Sequence, residues 1–219
     1  MLERGKYYHI FNKGFGGQNI FKYEYDYRHF LDLMNIFLFS VTDVYAYALL
    51  RNHFHFAVRI KSIEETGFLN NEYSKSKDMA LKWKTFSLEE AENIPARNLK
   101  IPDPDYMLRH LFDTYARWFN KKHERKGRLL NKSYTIKEVD SQNYLKRLVL
   151  YIHNNPVKHG FCSHPAEYGW TSYITFINNQ TTKVKKDIVL KWFDSYSQFK
   201  SLHNNTDDDF FDINPLIIE

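Results

Sequence analysis

An α+β fold, with helices packed on one antiparallel sheet, is what three features of this sequence predict. β-rich runs alternate with helix-periodic runs in the order strand, helix, strand, strand, helix, strand, helix. Two of the β-rich runs are separated only by Arg51 and Asn52, which marks a hairpin. The 219 residues include 18 Phe and 16 Tyr and are 43% hydrophobic, enough for a large core and too apolar for a disordered chain.

YYHIF (7–11) reads as the first strand, closed by the glycine-rich turn GFGGQN. Asp26 is expected to cap a helix reaching about Ser40, because Phe30, Leu33, Met34, Phe37 and Val41 recur at helical spacing. VYAYALL (44–50) and HFHFAVRI (53–60) form the predicted hairpin. Residues 62–104 are polar and broken by Pro95, Pro102 and Pro104, and read as a partly helical insert. From Tyr106, Leu108, Leu111, Phe112, Tyr115 and Phe119 trace the buried stripe of a second helix. SYTIKEV (133–139) is the fourth strand. SQNYLKRLVLYIHNN follows as a core helix, expected to end at Pro156, since the residue before a proline is pushed out of the α region. A last helix is expected around 187–203, ahead of the acidic tail DDDFFDINPLIIE. A ferredoxin-like split βαβ arrangement satisfies this order. The expected domain therefore spans 1–180 and carries the 62–104 insert, with a C-terminal helix and tail over 181–219.

Thirty-one basic against 26 acidic side chains leave a net charge of +5, which suits an anionic partner without requiring one. Cys162 stands alone, excluding an internal disulfide and a cysteine-only metal site. The first residues lack the apolar core of a signal peptide and no run of 18 apolar residues occurs, so a cytoplasmic chain without a membrane span is expected.

The chemistry starts from RNHFHFAV (51–58). Alternation along a strand puts His53 and His55 on one face and Phe54 and Phe56 on the other. Two imidazoles about 7 Å apart at their Cα atoms can converge on one metal ion. Taken alone, such a pair is more often simply polar residues on a solvated strand face, and two ligands leave a site incomplete. On the later helix Arg147, Tyr151 and Asn155 follow at four-residue spacing and line one face, combining a cation, a phenol and an amide. A half-buried tyrosine flanking the core explains that face equally well. Together the two sets have a logic. A phenol is a weak nucleophile at neutral pH and needs a nearby cation. A metal on His53 and His55 would polarise a phosphate, and the Asn155 amide oxygen would complete its coordination.

NHFHF followed by a helix ending YIHNNPVKHG resembles the single-tyrosine HUH transposases. The segments YYHIFNKG, IFKYEYDYRHFL, YARWFNKKHERKG and HPAEYGWTSY are similar, in that order, to the REP-associated tyrosine transposase branch. The likeness covers about residues 6–61 and 105–176. It implies an HUH endonuclease fold and a metal-dependent enzyme that cleaves and rejoins single-stranded DNA, at hairpin-forming ends, through a 5′-phosphotyrosine intermediate. By the same resemblance His53 and His55 hold a divalent metal (Mg²⁺ or Mn²⁺), Asn155 is the third ligand, and Tyr151 is the nucleophile. Some relatives are dimers, so a homodimer is compatible. Two features depart from the pattern: Arg51 stands where many relatives carry proline, and the insert is longer than in a minimal member. Two other readings stay open, a catalytically inactive DNA-binding relative and a metal-dependent phosphodiesterase that uses water.

For DNA contacts the expected residues are Lys121, Lys122, Arg125, Lys126, Arg128 and Lys132, a basic run opposed only by Glu124, together with Arg147. A solvated loop is the plain alternative. Trp118, Phe119 and Tyr134 are candidates for base stacking, although core packing explains Phe119 as well. The acidic tail, with Asp207, Asp208, Asp209 and Asp212, is either a frayed terminus or a competitor for the basic groove.

Overall fold

The computed structural model describes residues 1–178 and 181–204, so the acidic tail lies outside the described residues. The main sheet comprises β1 (Tyr7–Lys13), β2 (Thr42–Leu50), β3 (His53–Ile60) and a last strand, Thr135–Val139, in the order β2-β3-β1-last strand. That is the split βαβ order expected from the sequence. β1 pairs antiparallel with the last strand, His9 opposite Lys137 and Phe11 opposite Thr135. Arg51 and Asn52 make the tight connection between β2 and β3.

The chain gathers into two compact units. One comprises Met1–Lys6, Phe21–Asp43 and Arg59–Leu130. Its first helix, Glu24–Leu33, continues through a π-helical turn at Met34–Leu38 and a final turn at Phe39–Val41. Asp26 caps this helix as expected, from the third helical position and with Tyr23 as the N-cap residue. It sits in the first turn, fully buried, and its carboxylate accepts the N–H of the N-cap residue Tyr23 (2.9 Å) and that of Lys22 just before it (2.8 Å). The long helix Pro104–Lys122 begins at Asp103, whose carboxylate accepts the Tyr106 N–H. Phe30 packs edge-to-face on both Phe21 (5.2 Å between ring centroids) and Tyr115 (4.8 Å), and Phe21 meets Tyr115 at a tilt, 5.5 Å away.

The insert departs from the partly helical expectation by adding a small sheet, in which Phe68–Asn70 lies between Thr85–Phe86 and Leu99–Lys100. Gly67 makes it possible: its φ is +73°, and a Cβ there would stand 2.1 Å from the Phe86 carbonyl oxygen.

The other unit comprises Tyr7–Ile20, Val44–Val58 and the described residues from Asn131 onward. Its helix Gln142–Lys158 starts at Ser141, whose hydroxyl accepts the Tyr144 N–H. Contrary to expectation it does not end at Pro156 but runs through it to Lys158. Proline costs the bond that Ile152 would have accepted, yet the helix closes two residues later with a complete C-terminal motif. Gly160 (φ +69°) donates to Val157 and Phe161 donates to the Pro156 carbonyl. The helix expected around 187–203 is two short ones, Lys186–Leu190 and Tyr196–Asn204.

Candidate active site

His53, His55, Tyr151 and Asn155 all belong to the second unit. His53, His55 and Tyr151 line one cavity of about 210 Å³ together with Phe11, Asn52 and His159. The strand face carrying the histidines is not a solvated one, because His55 is buried at 4% exposure and His53 only half-exposed. Asn155 is fully buried on the helix Gln142–Lys158, and its amide oxygen lies 2.9 Å from His53 Nε2. The other ring nitrogen of His53, Nδ1, is 2.8 Å from the Asn52 amide oxygen.

These two contacts have a chemical consequence. A neutral imidazole donates one proton only. If Nδ1–H donates to Asn52, the Nε2 lone pair confronts the Asn155 oxygen, acceptor against acceptor, and a cation between them relieves the clash. Two ligands each about 2.1 Å from one ion and at right angles to each other stand about 3.0 Å apart, close to the separation seen. Among the described residues no group of three His, Cys, Asp or Glu side chains could hold a metal. The buried Asn155 Nδ2 has no partner, which leaves the amide tethered through its oxygen alone. The residues present fit a divalent ion.

His55 has a support that sequence reasoning missed. His9, fully buried on β1, places its Nε2 2.9 Å from His55 Nδ1, and the two rings stack at 5.1 Å. For His55 to offer its outer nitrogen as a lone pair, Nδ1 must carry the proton and donate it to His9. The His9 proton then rests on Nδ1, which is buried without a partner. Burial, then the Lys137 charge, pushes the His9 pKa down to about 3, and burial with the surrounding cationic groups holds His55 well below its ordinary value. Both rings are therefore neutral at physiological pH, the form that binds metals. The available signal was the strand order, since β1 lies beside β3 in a split βαβ sheet and brings YYHIF next to HFHF.

Tyr151 is 2% exposed, and its ring meets His55 edge-on at 5.7 Å. The cation beside it is Lys158, whose Nζ stands 5.7 Å from the ring centroid, and not Arg147 as expected. Arg147 is exposed, and it does not line the cavity. Four residues advance a helix by about 6 Å, which carries Arg147 past the cavity although it shares a face with Tyr151. Burial lowers the pKa of Lys137, whose Nζ is 5.5 Å from the Phe11 ring centroid and has no hydrogen-bond partner.

The basic run is divided. Lys121, Lys122, Lys126 and Arg128 are exposed in the first unit, and Lys132 is exposed in the second. Arg125 is committed locally, donating to Asn120 and, at 3.1 Å, to the Arg128 carbonyl. Phe119 is fully buried, in line with its core reading. Trp118 stacks on His29 at 4.0 Å.

No helix among the described residues is long and apolar enough to cross a membrane. No family model and no curated protein matches the sequence. A solved structure, that of a REP-associated tyrosine transposase bound to a REP hairpin, is similar over 84% of this chain and 86% of its own, with a TM-score of 0.51 and 11% identity. The chain thus shares the α+β fold of a REP-associated tyrosine transposase.

Proposed function

We propose that this protein cleaves and rejoins single-stranded DNA at hairpin-forming ends by a transesterification at Tyr151. The observation that carries the reading is that Tyr151, His53 and His55 line one cavity, with the Asn155 amide oxygen 2.9 Å from His53 behind it. The structural relative, itself bound to a DNA hairpin, supports the choice of substrate.

His53, His55 and Asn155 would hold a divalent ion, Mg²⁺ or Mn²⁺, which when bound supplies Lewis-acid polarisation of the scissile phosphate. The protein's own groups do the rest. Lys158, its Nζ 5.7 Å from the Tyr151 ring centroid, would set a positive charge near the phosphate under attack. The Tyr151 oxygen attacks phosphorus, the bond from phosphorus to the 3′-oxygen breaks, and the phenolic proton is accounted for on the departing 3′-hydroxyl. The strand beginning at the 5′-phosphate stays on Tyr151. Attack by a 3′-hydroxyl runs the exchange backwards and joins strands. His9 keeps His55 in the ligating tautomer.

The test is a denaturing gel of a labelled hairpin oligonucleotide incubated with Mg²⁺ or Mn²⁺. Wild type should give a protein–DNA adduct, and Tyr151→Phe should give none while still binding the hairpin. No adduct with wild type sinks the reading. Continued turnover by Tyr151→Phe with free 5′-phosphate ends would instead establish a water-using phosphodiesterase.

A further inference from the structure

The insert closes a second cavity, distinct from the first and wholly within the first unit. It measures about 460 Å³, inside the range of about 300–1,000 Å³ typical of small-molecule sites. One wall is aromatic. The His110 ring lies 4.7 Å from Trp83 and 4.3 Å from Tyr106, and Phe37 packs edge-on against Trp83 at 5.3 Å. Tyr106 keeps 42% of its surface open to solvent. Three cations, Lys82, Lys100 and Arg109, share the lining with Asn70, Asn71 and Ser74. Lys82 Nζ stands 5.7 Å from the Trp83 ring, Lys100 Nζ stands 5.5 Å from the Tyr106 ring, and Arg109 lies on the rim. None of the three cations pairs with a carboxylate among the described residues. The one acid in the lining, Asp103, is engaged by the Tyr106 N–H at the start of the long helix. His110 Nε2 is buried there without a partner.

Rings with unpaired cations at their faces suit one ligand chemistry above others. A purely acidic peptide would use the cations and leave the rings idle, whereas a base stacked on either ring carries its phosphate to a lysine already beside that ring. We propose that this cleft binds one unpaired nucleotide, its base against Trp83 and Tyr106 and its phosphate against Lys82, Lys100 and Arg109. The insert then serves as a second grip on single strands, independent of chemistry at Tyr151.

The experiment follows fluorescence anisotropy of a labelled, unstructured single-stranded oligonucleotide with the full-length protein in EDTA, so that strand cleavage plays no part. Trp83→Leu should weaken binding about ten-fold, and Trp83→Phe should restore most of the loss. The triple variant Lys82→Gln/Lys100→Gln/Arg109→Gln should lower the slope of log affinity against log salt by about 0.7, the contribution of one phosphate on a single strand. Tyr151→Phe should bind as wild type does, so failure here and failure of the strand-transfer reading are separable. Competition by free dAMP identifies the source of the nucleotide. No displacement at matched concentration points to a nucleotide held within a strand, as expected, and displacement points to a free-nucleotide site and overturns the role as a grip on single strands. Thermal melts confirm that each variant is folded. Folded variants with unchanged affinity and salt slope overturn the proposal. So does displacement of the oligonucleotide by polyglutamate from wild type but not from the triple variant, which would mark an acidic-peptide site.

Discussion

Replacing His9 by phenylalanine separates the two things a buried imidazole can do, which are to fill space and to hold a proton in place. The substitution leaves His55 Nδ1 buried without the partner now 2.9 Å away, at a cost of about 1–3 kcal/mol. It also removes the His9 Nδ1 that is already buried without a partner, and the return is of the same order. The net change in stability should stay within about 1 kcal/mol, a shift in Tm of about 2–4 °C for a chain of this size. Metal affinity has no such offset. Without His9 the tautomer of His55 is no longer set, and loss of a partner of this kind typically weakens binding by about 10–100-fold, or about 1.4–2.7 kcal/mol. Isothermal titration with Mn²⁺ alongside a thermal melt reads both quantities. His9→Gln, whose amide oxygen can accept the same proton, should recover part of the affinity. A Mn²⁺ affinity for His9→Phe within about threefold of wild type refutes the reasoning, as does a collapse of Tm in step with affinity.

Other outcomes follow from groups outside the cavity. His203 donates from Nδ1 to the Phe199 carbonyl (2.7 Å), so its Nε2 accepts from His153, whose own Nε2 accepts from the Ser172 hydroxyl (2.8 Å). Burial pushes His203 down to about 3 and His153 well below its usual value, so between about pH 6.5 and 3 the unfolded chain binds more protons than the folded one. The stability from these neutral rings is complete above about pH 6.5 and is lost as pH falls, by up to about 1.4 kcal/mol per unit and group. Urea midpoints that stay level between neutral and mildly acidic pH would contradict this. Asp26→Ala strands two backbone donors and the His123 ring, whose Nε2 is 2.8 Å from the lost carboxylate, and should cost about 3–5 kcal/mol in urea denaturation. A loss below about 1 kcal/mol would mean that water replaces the carboxylate there. Gly67→Val should destabilise the insert, because the new side chain meets the Phe86 carbonyl; hydrogen exchange confined to 62–104 is the expected signature.

What the sequence determined by itself was whatever depends on neighbours along the chain. Strand alternation put His53 and His55 on one face, helical period put Tyr151 and Asn155 on another, and the two-residue spacing announced the hairpin. What only the tertiary structure decided was which distant groups meet. It placed His9 against His55 from a separate strand, and it supplied Lys158 as the cation at Tyr151 where a shared helix face had suggested Arg147. It also carried the helix through Pro156 to the glycine-terminated end that positions Lys158 and His159. Period and propensity act over a few residues, but the pairing of strands and the axial extent of a cavity are set by packing between segments far apart in sequence, and local pattern does not encode those distances.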